Sequence, residues 1–302
     1  TLSPGGAVFN RNSKTLVLSN QIKKLLKIKK SSITPNELIR TILKLETELL
    51  WFGGIGTYIK SSDESNSDVG DKANDAIRVN GKDVRCKVIG EGANLGITQL
   101  GRIEFAANNG RINTDAIDNS AGVDSSDHEV NIKILLRSVM QNNQLNESQR
   151  NQLLAKMTNE VSELVLVHNY LQSQAITQIE SEGVFALGDQ QRFMKLLERT
   201  KRLMRDVEYL PDDELINERR LSNKGLYRPE ISVLFSYAKN WLYDEVLSSN
   251  VPDDVFLDTE LKNYFPQPLQ KLYSKHIQKH QLKREIIATK VSNTLIDRVG
   301  DT

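Results

Sequence analysis

The chain of 302 residues has a single cysteine, Cys86. An internal disulfide is therefore excluded, and the sequence fits a reducing compartment such as the cytoplasm. Charge of either sign is not in excess: 40 Lys and Arg against 39 Asp and Glu leave a formal net charge of +1. No global field draws the chain to nucleic acid or to a membrane surface. No apolar run approaches the roughly 20 residues that span a bilayer, and no secretory signal is legible at the start. A repeat of fixed period is missing. So is the Gly-x-Gly-x-x-Gly turn that cradles a dinucleotide, which Gly53-Gly54-Ile55-Gly56 does not match. The first residue is Thr1, and the opening TLSPGGAVFN reads as loop and strand from mid-protein. The expectation is a piece of a longer chain.

The rest is ordinary globular protein, with 38% hydrophobic and 26% charged residues, enough for one or two domains. Residues 1–34 read as irregular, with a short strand in Lys14–Leu18. Lys23, Lys24, Lys27, Lys29 and Lys30 suit a solvated helix face better than a phosphate site. Thr34-Pro35-Asn36-Glu37 opens a helix with a cap, a first-position proline and a third-position glutamate. Its apolar face is expected to carry Leu38, Ile42 and Leu45. Leu49–Phe52 and Lys87–Ile89 are apolar runs that stop at glycines, as buried parallel strands do. A short helix is expected over Asp71–Val79, and another from Thr98 to about Asn108. Ile112–Ile117 reads as a third strand, and Ser126 with Glu129 as a capping box. The alternation implies parallel βαβ units whose turns share one ligand-binding edge. From about Ser148 helical periodicity takes over, at roughly 148–182, 189–205, 212–222, 229–248 and 281–299.

Val88–Glu129 is the most informative stretch. Its two turns, rich in Gly, Ala and Asn, allow a ligand close to the backbone. Asn94 and Asn119 taken alone suit plain turn residues, and Ser126 suits a plain cap. Asp115 and Asp118 flank the later turn, where solvation or capping outweighs acid–base work. His128 reads as an exposed histidine near a helix start. His276 and His280 are four apart but lack a third ligand, so no metal is expected. Cys86, Trp51 and Trp241 read as packed core.

Longer motifs carry a resemblance. LLWFGGIGTYIK at 49–60, VGDKANDAIRV at 69–79, VIGEGANLGITQLGRIEFA at 88–106 and GRINTDAIDNSAGVDSSDHEVNIKILL at 110–136 resemble the large bacterial NAD-specific glutamate dehydrogenases. RPEISVLFSYAK at 228–239 and LKREIIATKVSNTLIDRVG at 282–300 do too. The resemblance implies a partial Rossmann-like parallel sheet followed by a mostly helical domain, an α/β then α organisation. Residues 1–142 would be the C-terminal part of the NAD-binding domain and 143–302 the helical domain.

It also implies oxidative deamination of L-glutamate to 2-oxoglutarate and ammonium in a cytoplasmic, homo-oligomeric enzyme. The similarity of Glu91-Gly92-Ala93-Asn94 to the turn of smaller glutamate dehydrogenases puts Asn94 by the nicotinamide ribose. Asn119-Ser120-Ala121-Gly122-Val123 resembles their Asn-Ala-Gly-Gly-Val, so Asn119 would face the carboxamide, and Ser126 a substrate carboxylate. Gly53, Gly54, Gly92 and Gly122 would let the cofactor approach. The replacement of Ala-Gly-Gly by Ser-Ala-Gly leaves the backbone shape at 120–122 open. The catalytic Lys and Asp would lie in a preceding substrate domain, so this chain is expected to be inactive alone. Two other classes stay open: a related amino-acid dehydrogenase with another side-chain pocket, and a non-catalytic assembly or regulatory module.

Overall fold

The computed structural model describes residues 2–302. They fall into two compact units. One runs to Ala116 and includes Tyr227–Pro229; the other holds Ile117–Leu226 and Glu230–Thr302.

In the first unit, strand β1 (Leu16–Val17) and strand β2 (Ser32–Ile33) pair antiparallel around helix α1 (Asn20–Leu25). The strand expected in Lys14–Leu18 is present. The lysine-bearing helix is short, because Lys27 takes left-handed backbone with φ 54° soon after α1 ends. Helix α2 (Pro35–Leu43) starts as its residues dictate: Thr34 Oγ1 accepts from the Glu37 amide, and the Glu37 carboxylate accepts from the Thr34 amide. Its packed residues are Leu38, Ile39 and Leu43, while Ile42 is exposed.

Then come strand β3 (Leu49–Phe52), strand β4 (Ile59–Lys60), helix α3 (Asn66–Val69), strand β5 (Val79–Asn80), strand β6 (Val88–Glu91) and helix α4 (Gln99–Ala107). Strands β3 and β6 are parallel, with Leu49 opposite Val88 and Phe52 opposite Glu91. Strands β4 and β5 form a second parallel pair. Phe52, Ile59, Val79, Ile89, Ile97, Phe105 and Ile112 close the core between the strands and α4. Each such side chain contributes about 1.5–3 kcal/mol by leaving water.

Two expectations fail in this unit. The helix over Asp71–Val79 is a single 3-10 turn, Lys72–Asn74, followed by β5. Its reason is Arg78, whose buried guanidinium donates to the Thr57 and Asp71 carbonyls and pairs with Asp75 at 2.5 Å. The third strand is reduced to one parallel bridge, Arg111 with Val88. Asp115 then turns the chain into helix α5 (Asp115–Asp118), because its carboxylate is held by Leu95 N and Arg102.

The second unit is helical. It comprises α6 (Ser120–Gln141), α7 (Glu147–Glu182), α8 (Leu187–Arg199), α9 (Asp213–Leu221), α10 (Arg228–Ser248) from Glu230 onward, α11 (Asp258–Tyr264), α12 (Gln267–Leu272), α13 (Ser274–Ile277) and α14 (Lys283–Val299). All five long periodic segments are helices; α8 stops early because Lys201 adopts left-handed backbone. One core gathers Ile176, Leu197, Leu234 and Phe235, and another Leu135, Leu136, Leu261, Phe265 and Ile287. Among the described residues no helix is long and apolar enough to cross a membrane.

The expected cap at Ser126 is overturned. Helix α6 begins at Ser120, six residues earlier, so Ser126 is an exposed residue within the helix. Tertiary contacts outweigh the weak helix propensity of Ser120 and Gly122: the Ser120 hydroxyl donates to Ile117 O and meets Asn169 and Gln172 of α7. Glu129 pairs with Lys133 four residues on, without a capping role.

Candidate functional site

Because β3 and β6 are parallel and in register, the turns that follow them leave the same carboxyl edge. Gly53 and Gly54 form the first turn, and both are exposed. Gly92, Ala93 and Asn94 begin the second, where Leu95 takes φ 58°. Neither turn, 53–56 or 92–96, contains an ionisable side chain. The edge thus offers amide groups and flat apolar surface rather than proton transfer.

Trp51 shapes that surface. It was expected in the core, yet it is 58% exposed. Its indole lies over Gly90 and Gly92, where a Cβ would collide with the ring. Both positions therefore require glycine for close approach, and Leu49, Trp51 and Val88 together leave one face of the pair open to solvent. Trp241 is half-buried against the helical core, and Cys86 is buried, which raises its thiol to about 11. Packing, not reactivity, is the role of this thiol.

Beneath the second turn lies a charged network that the sequence reading missed. Glu91, fully buried, takes Arg102 Nε at 2.6 Å and Arg102 Nη2 at 3.0 Å, and accepts from the Ile97 amide at 3.1 Å. Arg102 also pairs with Asp115 at 3.2 Å, and the other Asp115 oxygen accepts from the Leu95 amide at 2.8 Å. Burial alone would lower the arginine, but Glu91 and Asp115 hold it above its ordinary value. The turn carrying Asn94 is thereby tied at both ends to one guanidinium. Asp115 is a clamp in this arrangement, not an acid or base. Further along the edge, Arg228 Nε donates to Asn113 Oδ1 at 2.6 Å, and Gln99 Nε2 to the Pro229 carbonyl. The only sequence signal was placement: a Glu ending an apolar strand, and an Arg in the helix that follows.

The remaining expected residues lie in the helical unit. Asn119 immediately precedes α6 and makes no side-chain cap to it. Gly122 and Ser126 are exposed and four apart, so with Asn119 they share one face of α6. The structure thus brings Gly53, Gly54, Gly92 and Asn94 to one sheet edge, and Asn119, Gly122 and Ser126 to one helix face. His276 and His280 do not form a ligand pair: His280 Nε2 lies 3.1 Å from the Asn131 carbonyl, and its Nδ1 accepts from Leu282 N.

Residues 1–179 match the family described as bacterial NAD-glutamate dehydrogenase, catalytic domain, and residues 223–302 match the glutamate dehydrogenase C-terminal family. A protein named NAD-specific glutamate dehydrogenase from Halomonas elongata is 48% identical over 299 residues, 99% of this chain and 18% of the relative. Proteins of the same name from Pseudomonas aeruginosa and Mycobacterium tuberculosis are 46% and 44% identical, each over 100% of this chain and 19% of their own length. This chain spans about a fifth of these curated relatives. A family match over more than half of the chain, in a range that includes both turns of the β3–β6 edge, decides the classification: the chain belongs to the bacterial NAD-glutamate dehydrogenase catalytic-domain family.

Proposed function

We propose that the complete protein oxidatively deaminates L-glutamate to 2-oxoglutarate and ammonium with NAD, and that this chain builds the nicotinamide-side wall of the site. The observation that carries this reading is the Glu91-Gly92-Ala93-Asn94 turn at the carboxyl edge of a parallel pair, held rigid by Arg102 and Asp115. Rigid first contacts are what a hydride-transfer site needs, because the reacting atoms must stay about 3–3.5 Å apart.

The residues fit the nicotinamide end of the cofactor. Gly54 has open space where a side chain would stand, Asn94 is exposed, and Trp51 supplies an apolar plane. An uncharged turn suits a neutral carboxamide and ribose; a pyrophosphate would need cations or helix amides. Held there, NAD would supply the acceptor for a hydride from the substrate α-carbon. Asn94 would orient the ribose and Asn119 the carboxamide; Gly53 and Gly122 leave room for close approach, and Gly92 lets the Trp51 plane lie against the turn. Ser126 holds a substrate carboxylate through its hydroxyl alone, since the amides around it are used within α6.

The Rossmann-like identity of the sheet belongs to this proposal. Parallel sheets are covered on both faces, and the open Leu49–Trp51–Val88 face calls for such a cover. So do the domain division at 142/143, a cytoplasmic setting and a homo-oligomeric enzyme. Sequence assigns α6 to the cofactor domain, whereas its packing joins it to the helical unit. The proton-transferring groups are assigned to other parts of the complete protein, so the isolated chain is expected to show no glutamate-dependent NADH formation.

The test is kinetic. In the complete enzyme, Asn119→Ala and Asn94→Ala should lower kcat/KM for NAD-linked turnover by roughly 10-fold or more, as loss of a functional hydrogen bond does. Melting temperature should move little. Unchanged kcat and KM in both variants would sink the reading.

A further inference from the structure

Helices α6 and α7 bring together three side chains that the proposed reaction does not use. Asp124 and His128 are one turn apart on α6, and His168 faces them from α7. One ligand atom from each lies within 4.8 Å of the other two. His168 Nδ1 is 2.9 Å from Asp124 Oδ2, and His128 Nε2 is 3.8 Å from Asp124 Oδ1. Two donors held about 2.0–2.1 Å from a tetrahedral zinc ion sit about 3.3 Å apart, so small side-chain shifts complete the set.

The second observation is His128 itself. The exposed histidine expected near a helix start is fully buried, 0% accessible, and neither ring nitrogen has a hydrogen-bond partner. Buried imidazole nitrogens are nearly always satisfied, because leaving them unmet forfeits their hydration with no return. Packing holds the ring in place: Tyr264 stacks on it at 4.5 Å between centroids and His168 at 5.8 Å. Tyr264 donates its hydroxyl to Asp127, which also receives Asn131, so that carboxylate is occupied by its own hydrogen bonds.

We propose that Asp124, His128 and His168 bind one divalent transition-metal ion of the zinc class, which ties α6 to α7. Two imidazoles and one carboxylate are the donor set of zinc and its neighbours. Calcium and magnesium, which take all-oxygen shells, are disfavoured. The surrounding charges agree. The carboxylates of Asp124, Asp127 and Asp297 act on the group together with the ammoniums of Lys239 and Lys290. Lys239 is itself paired with Asp297 at 2.7 Å.

The complete protein, stripped with chelator, is titrated with zinc sulfate and with cobalt chloride alone. Wild type should take up one more equivalent than His168→Gln and than Asp124→Asn, and should show cobalt visible bands that both variants lose. His168 is partly exposed and Asn is isosteric with Asp, so far-UV circular dichroism should be unchanged. Equal stoichiometry and equal spectra in wild type and variants overturn the proposal. Should a variant misfold, X-ray absorption on zinc-loaded wild type decides instead: imidazole nitrogens at about 2.0–2.1 Å support the site. A shell without histidine overturns it.

Discussion

Arg102 shows how much one side chain carries in this fold. It is buried between two carboxylates and joins the end of β6 to the turn at Leu95. Arg102→Met would leave Glu91 charged and fully buried, which costs about 3–5 kcal/mol. Urea unfolding of the chain should show that loss, and the double variant Glu91→Leu with Arg102→Met should recover much of it. A single variant as stable as wild type would mean that the network is not coupled. Beyond the placement of a Glu ending an apolar strand and an Arg in the helix that follows, the pairing was not legible in the sequence. Glu91 and Arg102 lie eleven residues apart, a spacing with no periodic signature, and they meet only because α4 folds back over β6. Asn94 and Gly92, by contrast, were placed on the correct edge by the apolar run that precedes them.

At the scale of elements, local chemistry was readable wherever a cap or a glycine punctuated an apolar pattern. Helix α2 is the clearest case, since Thr34, Pro35 and Glu37 form the reciprocal cap that their spacing implies. Thr34→Ala should destabilise the chain by about 1 kcal/mol, visible as a lower urea midpoint at unchanged slope. Local chemistry misled where a distant partner decided. Ser126 and Glu129 spell a capping box, yet Ser120 engages Asn169 and Gln172, some fifty residues away, and starts α6 earlier. Ile112–Ile117 reads as a strand, but Asp115 is captured by Leu95 and Arg102 and bends the chain into α5. For Ser126, mid-helix placement lowers the expected stake: Ser126→Ala should raise KM for glutamate with kcat nearly intact, by roughly 10-fold, one hydrogen bond to a charged group.

Over the whole molecule, acidity reaches into the fold through Asp301, which is 3% exposed and receives Gln190 Nε2 at 3.3 Å. Burial raises its carboxyl to about 6, against about 3.9 in an unfolded chain. The folded state therefore holds this proton more tightly. The resulting stability is complete below about pH 4 and is lost as pH rises through about 6. Asp301→Asn removes that dependence. Thermal melts should find it more stable than wild type at pH 8, by up to about 3 kcal/mol, and equal near pH 4. A wild-type profile flat between those limits would contradict the shift. The broad division into a sheet-bearing part and a helical part was legible from hydrophobic period alone. The change of unit at residue 116/117 was not, because it depends on where Ile117 packs rather than on any linker composition.

The uncovered indole of Trp51 gives the molecule an optical handle. Of the 2 tryptophans, Trp241 is shielded by Phe193, whereas Trp51 faces water above Gly92. Its emission should be red-shifted and readily quenched by acrylamide. A ligand that settles against Gly92 comes up against that ring, so its arrival can be followed as a change in fluorescence, with Trp51→Phe as the silent reference.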